Sequence, residues 1–190
     1  MIIGDRIRLR PVERADLPRF VKWFGDPEVR DGLMFFAPIG EAQEERWFEN
    51  NLSRPVAEQV FSIDAKIGAP GAGFVATSAE PNWTHIGSCG FRNIDWRNRS
   101  GELGVVIGDE LQWGKGYGTD TMRTLDGWGF GELNLHRVAL QVYDNNARAI
   151  RCYEKVGFKT EGRLRESNFH DGRYHDTLIM SILRAEWETR

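Results

Sequence analysis

The stretch "LQWGKGYGTDTM", Leu111 to Met122, sets Gly114, Gly116 and Gly118 around Lys115 and Tyr117, directly ahead of a helix-like segment. Glycine is entropically costly in ordered structure, so a cluster of three needs a reason. One reason is a tight turn. The other is close approach of the backbone to a ligand. A Gly-rich turn that opens a helix offers free N–H groups and the positive end of the helix dipole, and both suit phosphate. Composition alone leaves the two readings open. The nucleoside-triphosphate pattern G-x-x-x-x-G-K-[ST] is not met, because Lys115 is followed by Gly116. The dinucleotide pattern G-x-G-x-x-G fails too, since Thr119 or Thr121 stands where its last glycine would fall.

A second segment, "NNARAIRCYEKVGFKTEG", settles the choice. With it, the chain resembles the GNAT acyltransferase superfamily, whose members use acetyl-CoA. The phosphate loop of that superfamily has the form [QR]-x-x-G-x-[GA]. Its glycines fall on Gly116 and Gly118; its Gln or Arg position falls on Trp113, a departure. The downstream pattern N-x-x-A-x-x-x-Y-E-K-x-G-F is met by Asn146, Ala149, Tyr153, Glu154, Lys155, Gly157 and Phe158. The pieces "WFGDPEV", "LNLHRV" and "DGRYHD" look like the branch that acetylates ribosomal-protein N-termini and the related spermidine acetyltransferases. The resemblance spans nearly the whole chain.

The resemblance implies an α+β fold with a mixed central sheet flanked by helices, acetyl-CoA as cosubstrate, and an amine acceptor. Homodimers are common in the superfamily. N–H groups from Trp113, Gly114, Lys115, Gly116, Tyr117, Gly118 and Thr119 are then expected to hold the pyrophosphate. Lys115 either adds charge or is a solvated loop lysine. The pantetheine arm carries two amides that need a strand edge, and Val105, Val106, Ile107 and Gly108 immediately precede the loop. Asn146 either bonds the CoA arm or caps its helix. Acetyl transfer to an amine requires that the ammonium lose a proton, that the oxyanion be stabilised and that the thiolate leave. Tyr153 matches the family's tyrosine and is expected to protonate the thiolate; the plainer alternative is a core aromatic. Glu102, opening "ELGVVI", is the candidate base or proton relay, against a plain strand carboxylate. An oxyanion donor would be a backbone N–H near Val106.

Other clusters read more simply. His170, Asp171, His175 and Asp176 fit a hairpin turn and strand better than a metal site. Cys89 and Cys152 form no paired metal motif and suggest no disulfide framework, so a reduced, cytoplasmic setting is expected. With 190 residues, 41% hydrophobic and 28% charged, the chain reads as one ordinary globular domain. A net charge of −3 implies no nucleic-acid partner, and no stretch is apolar enough to suggest a signal peptide or a membrane span.

The elements that must position these residues follow from patterning. "RIRLR" alternates as a strand that Pro11 stops. "ADLPRFVKWFGDPEV" reads as a helix capped by Asp16 and ended by Gly25, and "EAQEERWFENNL" as another with Trp47 and Phe48 inward. "QVFSIDA" is a strand candidate, "KIGAPGAG" a turn, and "FVATSAEPNWT" a short strand then loop. "HIGSCGFRNID" and "GELGVVIGD" read as adjacent strands joined by "WRNRS". Thr119 to Leu133 reads as helix, "HRVALQVYD" as a strand burying Val138, Leu140 and Val142, and "ARAIRCYEKV" as a helix ended by Gly157. "FKTEGRLRE" and "RYHDTLIMSIL" form a closing strand pair. The aromatic pairs Trp23–Phe24, Phe35–Phe36 and Trp47–Phe48 are core or acceptor-pocket candidates. Asp26, Glu28, Asp31, Glu41, Glu44 and Glu45 crowd the same front region. That acidity suits a polyamine, but it also fits helix N-terminal preferences. With aromatics interleaved, a peptide α-amine or a small monoamine is expected over spermidine.

Overall fold

The protein, seen in a computed structural model that describes residues 1–33, 37–67 and 83–189, is built on one eight-stranded sheet. In chain order the strands are β1 (Ile2–Ile3), β2 (Ile7–Pro11), β3 (Phe61–Lys66), β4 (Trp83–Asp95), β5 (Ser100–Ile107), β6 (Arg137–Tyr143), β7 (Lys159–His170) and β8 (Arg173–Leu183). Their spatial order is β1-β2-β3-β4-β5-β6-β8-β7. The helices are α1 (Leu17–Gly25), α2 (Pro27–Arg30), α3 (Glu41–Ser53), α4 (Tyr117–Gly131), α5 (Ala147–Lys155) and α6 (Arg184–Trp187). The α+β architecture expected from the sequence is present. The expected turn beyond residue 67, the segment 74–82 and the Phe35–Phe36 pair lie outside the described residues.

Neighbouring strands are antiparallel except at the centre. There β5 and β6 run parallel, which requires a crossover, and α4 supplies it. The parallel pair is short: Ser100, Gly101 and Glu102 face Arg137, Val138 and Ala139, and no further pairing follows. Beyond it, β5 stays bonded to β4 as far as Ile107, and β6 to β8 as far as Tyr143. The sheet therefore parts into a wedge.

Period-two alternation assigns the two faces of the sheet. Leu103, Val138, Leu140, Val142, Met180 and Ile182 join Met122, Leu125 and Phe130 of α4 and Tyr153 of α5 in the larger core. Val106 points the other way, onto a second core of Phe20, Trp23, Phe24, Val29 and Phe48 from α1, α2 and α3. Gly108, just past β5, belongs to this second packing. A Cβ there would lie 2.2 Å from the Trp23 ring.

Two local expectations change, at Pro11 and at Asp16. Pro11 ends β2 from within, paired with Phe61, because a strand's last residue can do without an N–H. The two-residue β1 and the one-turn α6 carry no periodic signal. The expected closing pair is present, β7 against β8, with β8 next to β6. Asp16 makes no cap bond to α1. It already has helical torsions (φ −82°, ψ −25°) as the last residue of a 3-10 turn, where a capping residue would be extended.

The Asp16 side chain instead ties the second core to the sheet. It accepts from Arg10 Nη1 and Nη2 at 2.7 and 2.8 Å, from the Glu13 amide at 2.9 Å and from Ser62 Oγ at 2.9 Å, with His85 Nδ1 3.2 Å away. Burial alone would raise this carboxyl. The bonds from Arg10, His85 and Glu13 outweigh burial and hold it well below the usual range. The stabilisation it brings is therefore complete above about pH 4 and is lost as the pH falls further. Asp16→Ala is expected to cost about 2–3 kcal/mol at neutral pH, because it removes a buried acceptor from Ser62 and from a partly buried Arg10, which keeps only its pair with Asp64. Urea melts at pH 7 and pH 3 check this, the difference between the two proteins shrinking in acid.

Candidate active site

The wedge between β5 and β6 opens into a cavity of about 890 Å³, within the range of ligand-binding sites. Its floor is the free edge of β5. Leu103, Gly104, Val105, Val106 and Ile107 all line it, past the point where β6 stops pairing. Unpaired strand N–H and C=O groups form a template for an extended partner with amides of its own.

The Gly-rich loop closes one end. Gly114 and Gly116 have φ of +72° and +87°, in the left-handed region that disfavours side chains. A Cβ at either would point into open space, so nothing in the protein fills the surface above them. Gly116 is the residue before α4, and no side chain caps that helix. Its first bond runs from the Asp120 amide to the Gly116 carbonyl at 3.0 Å, which leaves the preceding amides without an intrahelical acceptor. Gly118 sits where α4 meets α5, its Cβ position at ordinary contact distance, 3.7 Å, from Cys152 Sγ. Thr119 Oγ1 lies 3.4 Å from the same sulfur.

Trp113, where the superfamily pattern has Gln or Arg, has two partners. Its indole N–H donates to the Ile107 carbonyl at 2.6 Å, tying the loop to the end of β5. The Arg148 guanidinium stacks over its ring at 3.5 Å. A positive charge thus stands beside position 113, supplied by α5. Arg148, Arg151 and Lys155 all line the cavity. They recur at i, i+3 and i+7 on one helix face, a spacing from which they could have been read. Burial lowers the pKa of Arg148, opposed by the nearby Glu110 and Glu28 carboxylates.

Most residues singled out from the sequence converge here: Val105, Val106, Ile107, Trp113, Gly114, Gly116, Tyr117, Gly118, Thr119, Asn146 and Tyr153 all line the cavity. Asn146 also caps α5, accepting from the Ala149 amide at 3.1 Å. Tyr117 is anchored in the core, its hydroxyl donating to the Lys66 carbonyl at 3.2 Å beneath the Arg6 guanidinium. Two residues stand apart. Lys115 is exposed and donates to Gln112 Oε1 at 3.3 Å. Gly108 packs under Trp23.

The two catalytic candidates are not brought together. Tyr153 is buried on the cavity wall. Burial, reinforced by Cys152, pushes its phenol pKa well up, so it stays protonated at ordinary pH. Glu102 lies where β5 still pairs with β6 and does not line the cavity. It faces a separate depression with Asn93, Arg137 and Gln141. Its carboxylate is ion-paired with Arg92 and accepts from Asn93 Nδ2 at 3.1 Å. Each carboxylate oxygen accepts one of these bonds, and Arg92 and Gln141 also line the cavity.

A different carboxylate does line it. Glu44 on α3 is 2% exposed, and its Oε1 has no hydrogen-bond partner. Burial pushes its pKa up to about 7. Grouped by sequence with the helix-terminal acids, it is distinguished by spacing: Glu44, Phe48 and Asn51 are the buried residues of α3, at i, i+4 and i+7.

This geometry has known counterparts. Residues 6–159 match the family model for the acetyltransferase (GNAT) domain. The chain is 36% identical over 188 residues to spermidine N(1)-acetyltransferase of Vibrio cholerae, covering 99% of each. It is 36% identical over 102 residues to YdaF of Bacillus subtilis, a candidate ribosomal N-acetyltransferase, covering 54% of this chain and 55% of that one. The solved structure of spermidine N-acetyltransferase from Vibrio cholerae in complex with CoA and spermine superposes with a TM-score of 0.80 at 26% identity, covering 97% and 99% of the two chains.

The chain belongs to the GNAT acetyltransferase family. It is an N-acetyltransferase that uses acetyl-CoA. The open-faced glycines, the uncapped helix start, the free β5 edge and the three cations of α5 fit that cosubstrate. Among the described residues, no helix is long and apolar enough to cross a membrane, and no cluster of His, Cys, Asp and Glu could hold a metal.

Two outcomes test the site. Gly116→Val is expected to weaken acetyl-CoA binding by about tenfold or more, since a branched side chain would fill the phosphate approach. Calorimetry reads the affinity, with a thermal melt to confirm folding. Glu44→Gln is expected to stabilise the protein in alkali but not in acid. A carboxyl raised from 4.5 to about 7 costs nothing below its unfolded value and most above its folded one. The gain, on the order of 2–3 kcal/mol at pH 8, should vanish near pH 4 in denaturant titrations.

Proposed function

We propose that the protein transfers the acetyl group directly to a primary amine, with Tyr153 as the acid that protonates the departing sulfur. The reading is carried by one observation: Tyr153, the phosphate-suited loop and the free β5 edge line the same cavity. Acetyl-CoA, when bound, supplies an activated thioester carbonyl. Gly114, Gly116, Gly118 and Thr119 receive the pyrophosphate on backbone N–H groups, while Arg148, Arg151 and Lys155 supply the countercharge. The β5 edge from Leu103 to Val106 pairs the pantetheine amides, and a backbone N–H near Val106 faces the developing oxyanion. Tyr153, kept neutral by burial, holds its proton until a basic sulfur appears. No side chain on this wall needs to act as a nucleophile; burial also raises the Cys152 thiol pKa, which suits a bystander.

Acetylation of spermidine, the activity named for two of the relatives, is the competing acceptor reading and is supported by full-length similarity. We take residues 1–190 as one domain because the sheet runs unbroken from β1 to β7. The unpaired thiols Cys89 and Cys152 support a cytoplasmic setting.

Tyr153→Phe keeps the ring and removes the proton. Turnover is expected to fall by about 10²–10⁴-fold with acetyl-CoA affinity nearly unchanged. Steady-state thiol release beside calorimetry checks both, and a variant with wild-type turnover would remove Tyr153 from the mechanism.

A further inference from the structure

Charge is distributed unevenly around the cavity. Among the described residues that line it, Glu44 is the only carboxylate, against Arg54, Arg92, Arg148, Arg151 and Lys155. The other front acids are engaged elsewhere or point outward. Asp26 caps α2, Asp31 pairs with His170 at 2.8 Å, and Glu45 pairs with Arg14. Glu44 sits on the α1–α3 side, away from the α5 cations. Phe20, Phe24, Leu33 and Trp47, which line the same cavity, belong to the second core beside it.

An unpaired carboxylate buried among aromatics is destabilising in the free protein. Such a group commonly persists where function requires it. What it lacks is a cationic hydrogen-bond donor, and the cavity gives a small donor access. An ammonium would satisfy the orphaned oxygen, and aromatic faces such as Trp47 favour a cation with an apolar body.

We propose that Glu44 is a catalytic residue that receives the acceptor's ammonium, and that it restricts the acceptor to amines bearing one positive charge on an apolar or aromatic body. This rests on the acetyltransfer reading above. Each further ammonium of a polyamine would meet a guanidinium or lack a counter-ion, at a cost that burial magnifies. In the reaction, Glu44 takes one proton from R–NH3⁺. The freed nitrogen lone pair forms the N–C bond at the thioester carbonyl, and the C–S bond breaks. Tyr153 gives its proton to sulfur and is reprotonated from the new amide nitrogen, and Glu44 releases its proton to solvent. The sum is amine cation plus thioester to amide, thiol and one proton.

The charged groups on the cavity wall with Glu44 are Arg54, paired with Glu58 at 3.3 Å, and Arg92, paired with Glu102. The titratable groups across it are Tyr143, Cys152 and Tyr153, all with raised pKa values. Glu44, at about 7, is therefore the wall group expected to set the pH dependence near neutrality.

The test offers full-length wild type, Glu44→Gln and Glu44→Asp three acceptors: 2-phenylethylamine, a phenylalanyl peptide amide and spermidine. Thiol release is followed from pH 5.5 to 9. In the wild type, kcat/KM for the two monocations should exceed that for spermidine at physiological salt and rise with an apparent pKa near 7. Glu44→Gln should lose about 10²-fold or more for the monocations and lose that pH inflection, with acetyl-CoA affinity unchanged and Tm not lowered. Glu44→Asp should recover part of the rate. Equal kcat/KM in wild type and Glu44→Gln would overturn the role of Glu44 while leaving acetyltransfer intact. Spermidine outperforming both monocations would overturn the charge restriction. A lowered Tm with lost acetyl-CoA binding would mark Glu44 as a packing residue and overturn the proposal. No amine-dependent thiol release from any wild-type reaction would overturn the acetyltransfer reading and this proposal with it.

Discussion

Everything the site can do depends on one interruption. The parallel pairing of β5 and β6 stops at Glu102 and Ala139. Were it to continue, the backbone groups of Leu103 to Ile107 would be spent on a neighbouring strand and no cavity would form. Each strand remains held on its outer edge, β5 by β4 and β6 by β8, so the sheet divides without losing its ladder. The exposed edge that sheets usually conceal is here turned inward, into the wedge, where a ligand with amides of its own can complete it.

The wedge also sets the polarity of the site. α4 starts at its open end, so the helix's unbonded amides and the glycine turn meet the cavity there. α5 follows β6 on the other lip and brings a row of cations along one face. Trp113 joins the two lips through its bond to Ile107 and its stack with Arg148. A residue that departs from the superfamily pattern thereby brings a guanidinium beside the loop from another helix. On the remaining side stand α1 and α3, anchored to the sheet through Asp16 and its bonds to Arg10 and Ser62. That anchor is polar and buried, and its satisfied bonds contrast with the unsatisfied oxygen of Glu44 close by in the same layer. One carboxylate is committed to the fold. The other, in our proposal, is left for chemistry.

Similarity to spermidine acetyltransferases and the charge of this cavity point in different directions. Full-length likeness establishes the fold and the cosubstrate. In our proposal the acceptor is met on the α1–α3 side, where Glu44 decides how many positive charges are welcome. Among the described lining residues, five cations and one carboxylate form a different electrostatic surface from one that would gather a polycation.

By itself the sequence determined the elements of strong period and the motifs local to a single turn or helix. The glycine loop, the Asn146 cap, the buried face of β6 and the run from Tyr153 to Phe158 were all legible, because each depends on neighbours within a few residues. The cofactor class followed from the same local segments. Tertiary structure alone decided which of the chemically capable residues share a cavity. Glu102 and Glu44 are both carboxylates near predicted elements, and nothing in their flanking residues ranks them. Where β6 stops pairing with β5 leaves the first outside the wedge, bound to Arg92. The packing of α3 on α1 turns the second inward and strips it of partners. Lys115 and Gly108 were separated from the site in the same way, by an outward-facing turn and by the Trp23 ring. Burial and pairing are properties of contacts distant along the chain, so they were settled only when the sheet closed and then parted.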